Sequence, residues 1–140
     1  MTGVTIRETV KEDENFILNS WLHSYRESQF ASQISRSIYF TFHEQLLKAL
    51  LKRETIKKLV AVSQDEKDLI YGYAIYEVMG DYKIFHYIYV KRPFSGFGIA
   101  KELLKNAPFP LQKGVYASHL TYKGKKLVED NHLTYCPYLL

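Results

Sequence analysis

A loop with two closely spaced glycines follows an apolar, strand-like run that ends at Val90. Because Gly96 and Gly98 have no Cβ, the backbone there can adopt a positive φ and approach a ligand closely. The helix predicted to begin at this loop has unpaired N–H groups and the positive end of its dipole in its first turn. Together these features can bind a pyrophosphate without any particular side chain. The candidate binding residues in the loop are Val90, Lys91, Ser95, Gly96, Phe97, Gly98, Ile99 and Ala100.

The same loop also fits an ordinary strand-to-helix turn that uses glycine only for its geometry. It is not a Walker loop, since no Gly-Lys-Ser/Thr follows Gly98. It also lacks the full GxGxxG and the downstream carboxylate of a Rossmann site. Its place after three predicted strands and before a β-α-β ending favours the interpretation as an anion-binding loop.

Three side chains are candidates for proton transfer in a reaction: His86, Tyr89 and His119. The two histidines lie on predicted strands and titrate near neutral pH, so either could act as a base. Tyr89 is better suited to donate a proton than to accept one, since the ordinary pKa of tyrosine is about 10. A hydrogen-bonded place inside the sheet is the alternative for both histidines. Tyr122 and Tyr135 are further candidate acids.

The strand predicted over residues 82–90 carries two of these candidates. Strict alternation divides it into two faces. One face would hold Ile84, His86, Ile88 and Val90, and the other Phe85, Tyr87, Tyr89 and Lys91. A backbone N–H near residues 89–91 is the expected donor to an oxyanion, where this strand separates from a later one.

The elements that must position these residues follow from hydrophobic periodicity and turn residues. Strands are predicted at residues 4–9, 56–63, 69–79, 82–90, 115–120 and 133–140, and helices at 13–28, 39–53, 98–106 and 124–131. The order β-α-α-β-β-β-α-β-α-β predicts an α/β (α+β) domain, with a mixed, mostly antiparallel sheet flanked by helices. It also predicts one parallel strand pair, with a ligand at the carboxyl edge of that pair.

Composition limits the remaining possibilities. A chain of 140 residues fits a single domain spanning residues 1–140. One cysteine allows neither an internal disulfide nor a cysteine-based metal site, and the five histidines show no HxxxH spacing. We expect no metal. The first residues lack a signal-peptide pattern and no apolar run is long enough to span a bilayer, which predicts a cytoplasmic protein with no membrane partner.

The glycine loop resembles motif A of the GNAT (GCN5-related) N-acetyltransferases, in which a strand-ending Val precedes Arg/Gln-x-x-Gly-x-Gly/Ala. Val90 matches the strand end, and Gly98 and Ala100 match the two small positions. By element order the resemblance extends over the whole chain, but by motif only over this loop and the next helix. It implies the GNAT fold, with acetyl-CoA as co-substrate. Residues 20–26, 86–92 and 135–140 also look like small GNAT-like proteins of tailed phages, whose location would be the host cytoplasm.

Three positions depart from the family pattern. Ser95 stands where Arg or Gln is usual. Thr121 occupies the place of a frequent Asn after the fifth strand, and the resemblance makes it a further cofactor-binding candidate. The place of the usual tyrosine acid falls on Val128, which cannot donate a proton. These departures affect turnover more than cofactor binding.

The resemblance implies an acyl-CoA-dependent N-acyltransferase that acts on an amine of a small molecule or protein. One alternative is a catalytically inactive GNAT-fold protein that serves in binding or regulation. Another is a GNAT-fold transferase that modifies nucleic acid, although a formal charge of only +4 counts against it. The Tyr- and Leu-rich terminal segment at residues 133–140 could pair with a second copy in a homodimer.

Overall fold

A six-stranded sheet, with its strands in sequential order, lies at the centre of the molecule. The computed structural model describes residues 3–66 and 68–140. The strands are β1 (Val4–Glu8), β2 (Ile56–Ser63), β3 (Ile70–Met79), β4 (Tyr82–Val90), β5 (Tyr116–Ala117) and β6 (Thr134–Tyr135). The helices are α1 (Glu14–Tyr25), α2 (Arg36–Leu51), α3 (Ile99–Lys105) and α4 (Tyr122–Asp130), with short 3-10 turns at Lys11–Asp13, Ala31–Gln33, Arg92–Phe94 and Pro137–Leu139. The predicted fold class and element order are confirmed.

Pairing in the sheet is antiparallel from β1 to β4 and parallel beyond it. The prediction of one parallel pair was wrong, because α4 crosses over and returns β6 in the same direction as β5. The last two strands are also shorter than predicted. The chain leaves β4 after Ala117, and a 3-10 turn at Pro137–Leu139 replaces the rest of the predicted terminal strand.

A β-bulge at His86 breaks the alternation of β4. Tyr76 pairs with Phe85 and Ile75 pairs with Tyr87, so that His86 has no partner in the register. Phe85 therefore packs on the α3 side of the sheet while Tyr87 packs on the α1 side. The prediction that these two rings share a face was wrong, because one extra residue in a strand reverses the side chains beyond it.

Two apolar clusters, one on each face of the sheet, hold the helices in place. On the α1–α2 face, Trp21 is fully buried and stacks on Tyr87, with ring centroids 5.0 Å apart. Tyr25 is buried beside them, as the helical spacing of these two aromatic residues predicts. On the α3–α4 face, Leu103 and Val128 pack against the opposite side of the sheet. In the part of the chain described, no helix is both long and apolar enough to cross a membrane.

Candidate functional site

The parallel strands β4 and β5 pair over only two residues and then separate. The last paired residues are Phe85 and Ala117, and the N–H of Ser118 still donates to the carbonyl of Phe85 at 3.3 Å. The separation thus begins at His86, earlier along β4 than the predicted position near residues 89–91. The edge of β4 beyond the bulge is therefore open towards the α3–α4 face.

A cleft of about 500 Å³ occupies this opening, and we call it the glycine-loop cleft. Its walls come from the end of β4, the glycine loop and the first two turns of α3 and α4. It is lined by Ile88, Val90, Phe94, Ser95, Gly96, Gly98, Ile99, Ala100, Leu104, Thr121, Lys123, Gly124 and Leu127. The cleft has the size of a small-molecule or cofactor site.

Backbone donors at the start of α3 face this cleft. Gly98 is the N-cap with a φ of 82°, Gly96 has a φ of 84°, and no described side chain caps this helix. The first bond of the helix is from the N–H of Glu102 to the carbonyl of Gly98, so the three N–H groups before it have no acceptor within the helix. A Cβ at Gly98 would meet no atom within 4 Å. The start of α3 therefore combines open space with donors suited to an anion.

The start of α4 borders the same cleft. The hydroxyl of Thr121 accepts a hydrogen bond from the N–H of Gly124 at 2.8 Å, which caps the helix. Lys123, in the first turn, adds a positive charge to the lining. Sequence reasoning missed Lys123, Gly124 and Leu127. The capping pattern of Thr121 before a helix was the available signal.

Not every predicted loop residue faces the cleft. The ammonium of Lys91 lies 4.8 Å from the centre of the Phe16 ring, on the α1 side. The Phe97 side chain is half exposed and lies outside the lining. Ser95 lines the cleft, while its hydroxyl donates to the carbonyl of Arg92 at 2.8 Å and closes the preceding turn.

The three proton-transfer candidates lie on the α1–α2 face. Tyr89 packs against Phe16 and Tyr73, with ring centroids 6.3 and 5.5 Å away. His86 and His119 are buried and are joined through Ser118, whose hydroxyl lies 2.6 Å from Nδ1 of His86 and 3.0 Å from Nδ1 of His119. The structure therefore brings the two histidines together and places Tyr89 apart from them.

A continuous hydrogen-bonded chain extends from this pair in both directions. At one end, Nε2 of His119 lies 3.1 Å from Nε2 of His43 on α2. At the other, Nε2 of His86 lies 2.8 Å from Oε1 of Glu77, a fully buried carboxylate on β3. We call the series His43, His119, Ser118, His86 and Glu77 the His43–Glu77 chain. Sequence reasoning missed His43, Ser118 and Glu77, because their positions show no common spacing.

The protonation states of the chain follow from burial and charge. Burial lowers the pKa of His43 to about 4 and that of His119 well below its ordinary value, where the charges of His43 and His86 lower it further. Burial also lowers the pKa of His86, against the opposing effect of Glu77.

Glu77 is the ionised end of the chain. Burial favours its neutral form, but hydrogen bonds from His86 and Thr55 and the charges of His86 and Arg53 lower the pKa of Glu77 to about 2. The Arg53 guanidinium lies 3.0 Å from the carboxylate. Neutral histidines therefore connect to an ionised carboxylate at neutral pH.

A second pocket, of about 390 Å³, lies on the α1–α2 face, between α2 and the C-terminal segment. We call it the α2 pocket. It is lined by Tyr25, Phe30, Ile34, Ile38, Tyr39, Phe42, His43, Leu46, Ser118, Tyr135, Pro137, Tyr138 and Leu140. Two members of the His43–Glu77 chain, His43 and Ser118, thus reach a pocket whose other walls are aromatic or aliphatic.

The mixed six-stranded sheet flanked by helices matches the fold of solved GNAT acetyltransferases. A Pyrococcus furiosus protein assigned as an acetyl transferase is 22% identical to this chain, with a TM-score of 0.58 over 94% of this chain and 78% of the other. The PaiA N-acetyltransferase of Thermoplasma acidophilum, solved in complex with coenzyme A, is 18% identical, with a TM-score of 0.52 over 73% and 67%. A Staphylococcus aureus protein assigned to the GNAT family acetyltransferases is 16% identical, with a TM-score of 0.53 over 71% and 84%.

At these identities the comparison establishes the fold. No protein-family model and no curated protein sequence matches the chain.

Proposed function

We propose that the protein is an acyl-CoA-dependent N-acyltransferase that transfers an acetyl group from acetyl-CoA to an amine. The observation that supports this most directly is the glycine-loop cleft. There, the uncapped start of α3, the start of α4 and the open edge of β4 surround one space of about 500 Å³. The shared fold with acetyltransferases, one of them solved with coenzyme A, supports the same proposal.

The phosphates and the pantetheine arm of acetyl-CoA have suitable surfaces in the cleft. The free N–H groups at the start of α3 suit the pyrophosphate, and Lys123 adds a positive charge for a phosphate. Ile88 and Val90 form an apolar wall for the pantetheine arm, which would extend towards the strand separation at His86. When bound there, acetyl-CoA supplies a thioester carbon that an amine can attack.

A binding or regulatory protein of the same fold is the second candidate function. Val128 is buried in the α3–α4 core and offers no proton to a departing thiolate. If no other group or water protonates the thiolate, the cleft would bind the coenzyme without turnover. This candidate and the enzyme make the same prediction for binding but differ for thiol release.

Thermal unfolding with acetyl-CoA tests the binding. At a ligand concentration of 100 times Kd, mass action should raise the free energy of unfolding by about 2.7 kcal/mol and Tm by several degrees. An absence of any shift at millimolar acetyl-CoA would contradict both candidates. A Tm shift followed by thiol release with an amine panel supports the enzyme, and a shift without release supports the binding protein.

A further inference from the structure

The His43–Glu77 chain has one fixed direction of hydrogen bonding. Ionised Glu77 can only accept, so Nε2 of His86 donates to it, and neutral His86 must then accept at Nδ1 from the Ser118 hydroxyl. The oxygen of Ser118 accepts from Nδ1 of His119, and Nε2 of His119 accepts from Nε2 of His43. This leaves Nδ1 of His43 without a hydrogen. Among the described residues that nitrogen has no hydrogen-bond partner, so it is the point at which the chain can take up a proton.

The α2 pocket, at the same end of the chain, has the chemistry of a site for an apolar amine. None of its lining side chains is a carboxylate, a lysine or an arginine, and the rings of Tyr25 and Tyr39 stack on the His43 ring with centroids 5.2 and 5.1 Å away. The Arg26 guanidinium already lies 5.5 Å from the centre of the Tyr39 ring, so Nδ1 of His43 is the group that can receive the polar end of a ligand, and the apolar rim suits an apolar body. The rim is exposed, since 60% of Phe42 and 94% of Tyr138 are accessible to solvent.

We propose that the α2 pocket binds a primary amine carried on an aromatic or other apolar body, and that His43 takes up the ammonium proton, which the chain passes inward to His86. The inference rests on the proposed function, because acetyl-CoA in the glycine-loop cleft is the partner of this amine. Ser118 lines the pocket and follows the last paired residue of β5. The pocket therefore reaches the break in the sheet towards which the thioester would extend.

The proton movements balance with the acyl transfer. The ammonium gives one proton to Nδ1 of His43, and successive shifts through His119 and Ser118 leave His86 as an imidazolium beside the Glu77 carboxylate. The neutral amine attacks the thioester carbon, the C–N bond forms and the C–S bond breaks. The second amine proton goes to the thiolate, directly or through solvent, and the products are an amide, a thiol and one proton. The stored proton returns to solvent by the same path after the product has left.

Several other titratable groups face the chain and belong to its pH response. Tyr25 on α1, Tyr39 on α2 and Tyr87 on β4 contact His43 or His119, and burial raises the pKa of all three above the ordinary value. Glu27 acts on Tyr87, and Arg53 acts on His86. The three tyrosines are neutral throughout the range in which the histidines titrate. The charge that stabilises an imidazolium therefore comes from Glu77.

Binding is tested by NMR on histidine-labelled protein, with 2-phenylethylamine as probe and ethylamine as the control without a ring, each with and without acetyl-CoA. The proposal predicts ring shifts at His43 and His119 with 2-phenylethylamine, and at least about tenfold weaker affinity in Phe42→Ser. Val78→Ser, which changes an exposed apolar residue on β3 outside the pocket lining, should leave the affinity unchanged. Equal affinity for the two amines, or no shift at His43, overturns the proposal.

The relay is tested with Ser118→Ala, which interrupts the chain. We expect kcat with 2-phenylethylamine to fall about tenfold at an unchanged KM, while His43→Gln loses about 100-fold. Because an imidazolium at His43 then lacks the compensating Glu77 charge, the apparent pKa of the kcat profile should also fall in Ser118→Ala. A profile of unchanged shape contradicts the relay, since a structural defect alone would scale it uniformly.

The ¹⁵N signals of the His86 ring give a readout that needs no turnover. In the free protein they should show a neutral ring with its hydrogen on Nε2 and none on Nδ1, and a hydrogen on Nδ1 overturns the relay. If acetyl-CoA does not bind but the amine still shifts His43 and His119, the proposed function fails and the amine site stands. If acetyl-CoA binds and the amine shifts the ring signals of neither histidine, only this inference fails.

Discussion

The polar groups of the glycine-loop cleft are mainly backbone N–H groups, whereas those of the α2 pocket are side chains. The cleft is formed by the starts of two helices, and glycine at the N-cap of α3 gives its backbone the required conformation. The His43–Glu77 chain instead needs particular side chains from several elements: one each from α2, β3 and β4, and two from the segment after β5. The two faces of one sheet therefore depend on sequence in different ways.

This difference predicts where substitutions act. Few side chains of the cleft are irreplaceable, so changes there should alter ligand affinity more than stability. Buried charge and neutral histidines on the α1–α2 face link that site to the stability of the whole domain. Substitutions on the two faces should thus separate affinity from stability.

Removal of the buried carboxylate, in Glu77→Ala, should have the largest effect on stability. His86 and Arg53 lose their shared partner, and His86 is fully buried. Breaking one partner of a buried ionic network costs about 3–5 kcal/mol. Urea unfolding at pH 7 measures the loss. The matched variant Glu102→Ala, on the exposed side of α3, should change the free energy of unfolding by less than about 0.5 kcal/mol. Equal losses in the two variants would remove the contrast between the faces.

Acid should destabilise the protein through the same face. The pKa of His43 is about 4 in the folded chain and 6.5 ordinarily, so the unfolded chain binds a proton that the folded chain excludes. The contribution of His43 to the free energy of unfolding is therefore complete above pH 6.5. It is lost as the pH drops from 6.5 to 4, which lowers the free energy of unfolding by about 3 kcal/mol. Urea unfolding across this range should show a reduced slope in His43→Gln and the parent slope in Val78→Ser, which changes no titratable group. A parent curve flat between pH 7 and 4 would contradict the assigned neutral state.

On the α3–α4 face, Gly98→Trp should act mainly on the ligand. The indole would fill open space at the start of α3, and we expect affinity for acetyl-CoA to fall on the order of 100-fold, equivalent to about 2.7 kcal/mol. The positive φ adds a stability cost of about 1–3 kcal/mol. Gly80→Trp, in the β3–β4 turn, has a similar φ and open surroundings and should show only the stability cost. Calorimetric titration of both variants separates the two effects.

The element order was predictable because it depends on local periodicity, which each segment carries by itself. The lengths of β5 and β6 were not, since a strand of two residues is defined by the neighbour with which it pairs. The bulge at His86 was not predictable for the same reason. It exists only as a mismatch between two strands, yet it decides which face Phe85 and Tyr87 occupy.

The two sites differ in the same respect. The glycine loop is contiguous, so residues 95–100 show its pattern directly. The His43–Glu77 chain is assembled from positions up to 76 residues apart, as in the contact between His43 and His119. His86 and His119 could be named as titratable residues on strands. Their connection through Ser118 to a buried carboxylate depends on tertiary packing alone.

Thr121→Ala should have the smallest effect, because it removes a single helix cap. Of the two helices that begin at the cleft, only α4 has a side-chain cap in the described structure, and that cap is Thr121. Loss of the bond to the N–H of Gly124 should lower the free energy of unfolding by about 1 kcal/mol, and Thr121→Ser should restore most of it. The freed N–H becomes one more donor at the cleft, so affinity for acetyl-CoA should stay level or rise slightly. Urea unfolding and calorimetric titration of the two variants measure both quantities. A drop in affinity in Thr121→Ala that Thr121→Ser reverses would show that the hydroxyl contacts the ligand, and that this cleft relies on side chains as the α2 pocket does.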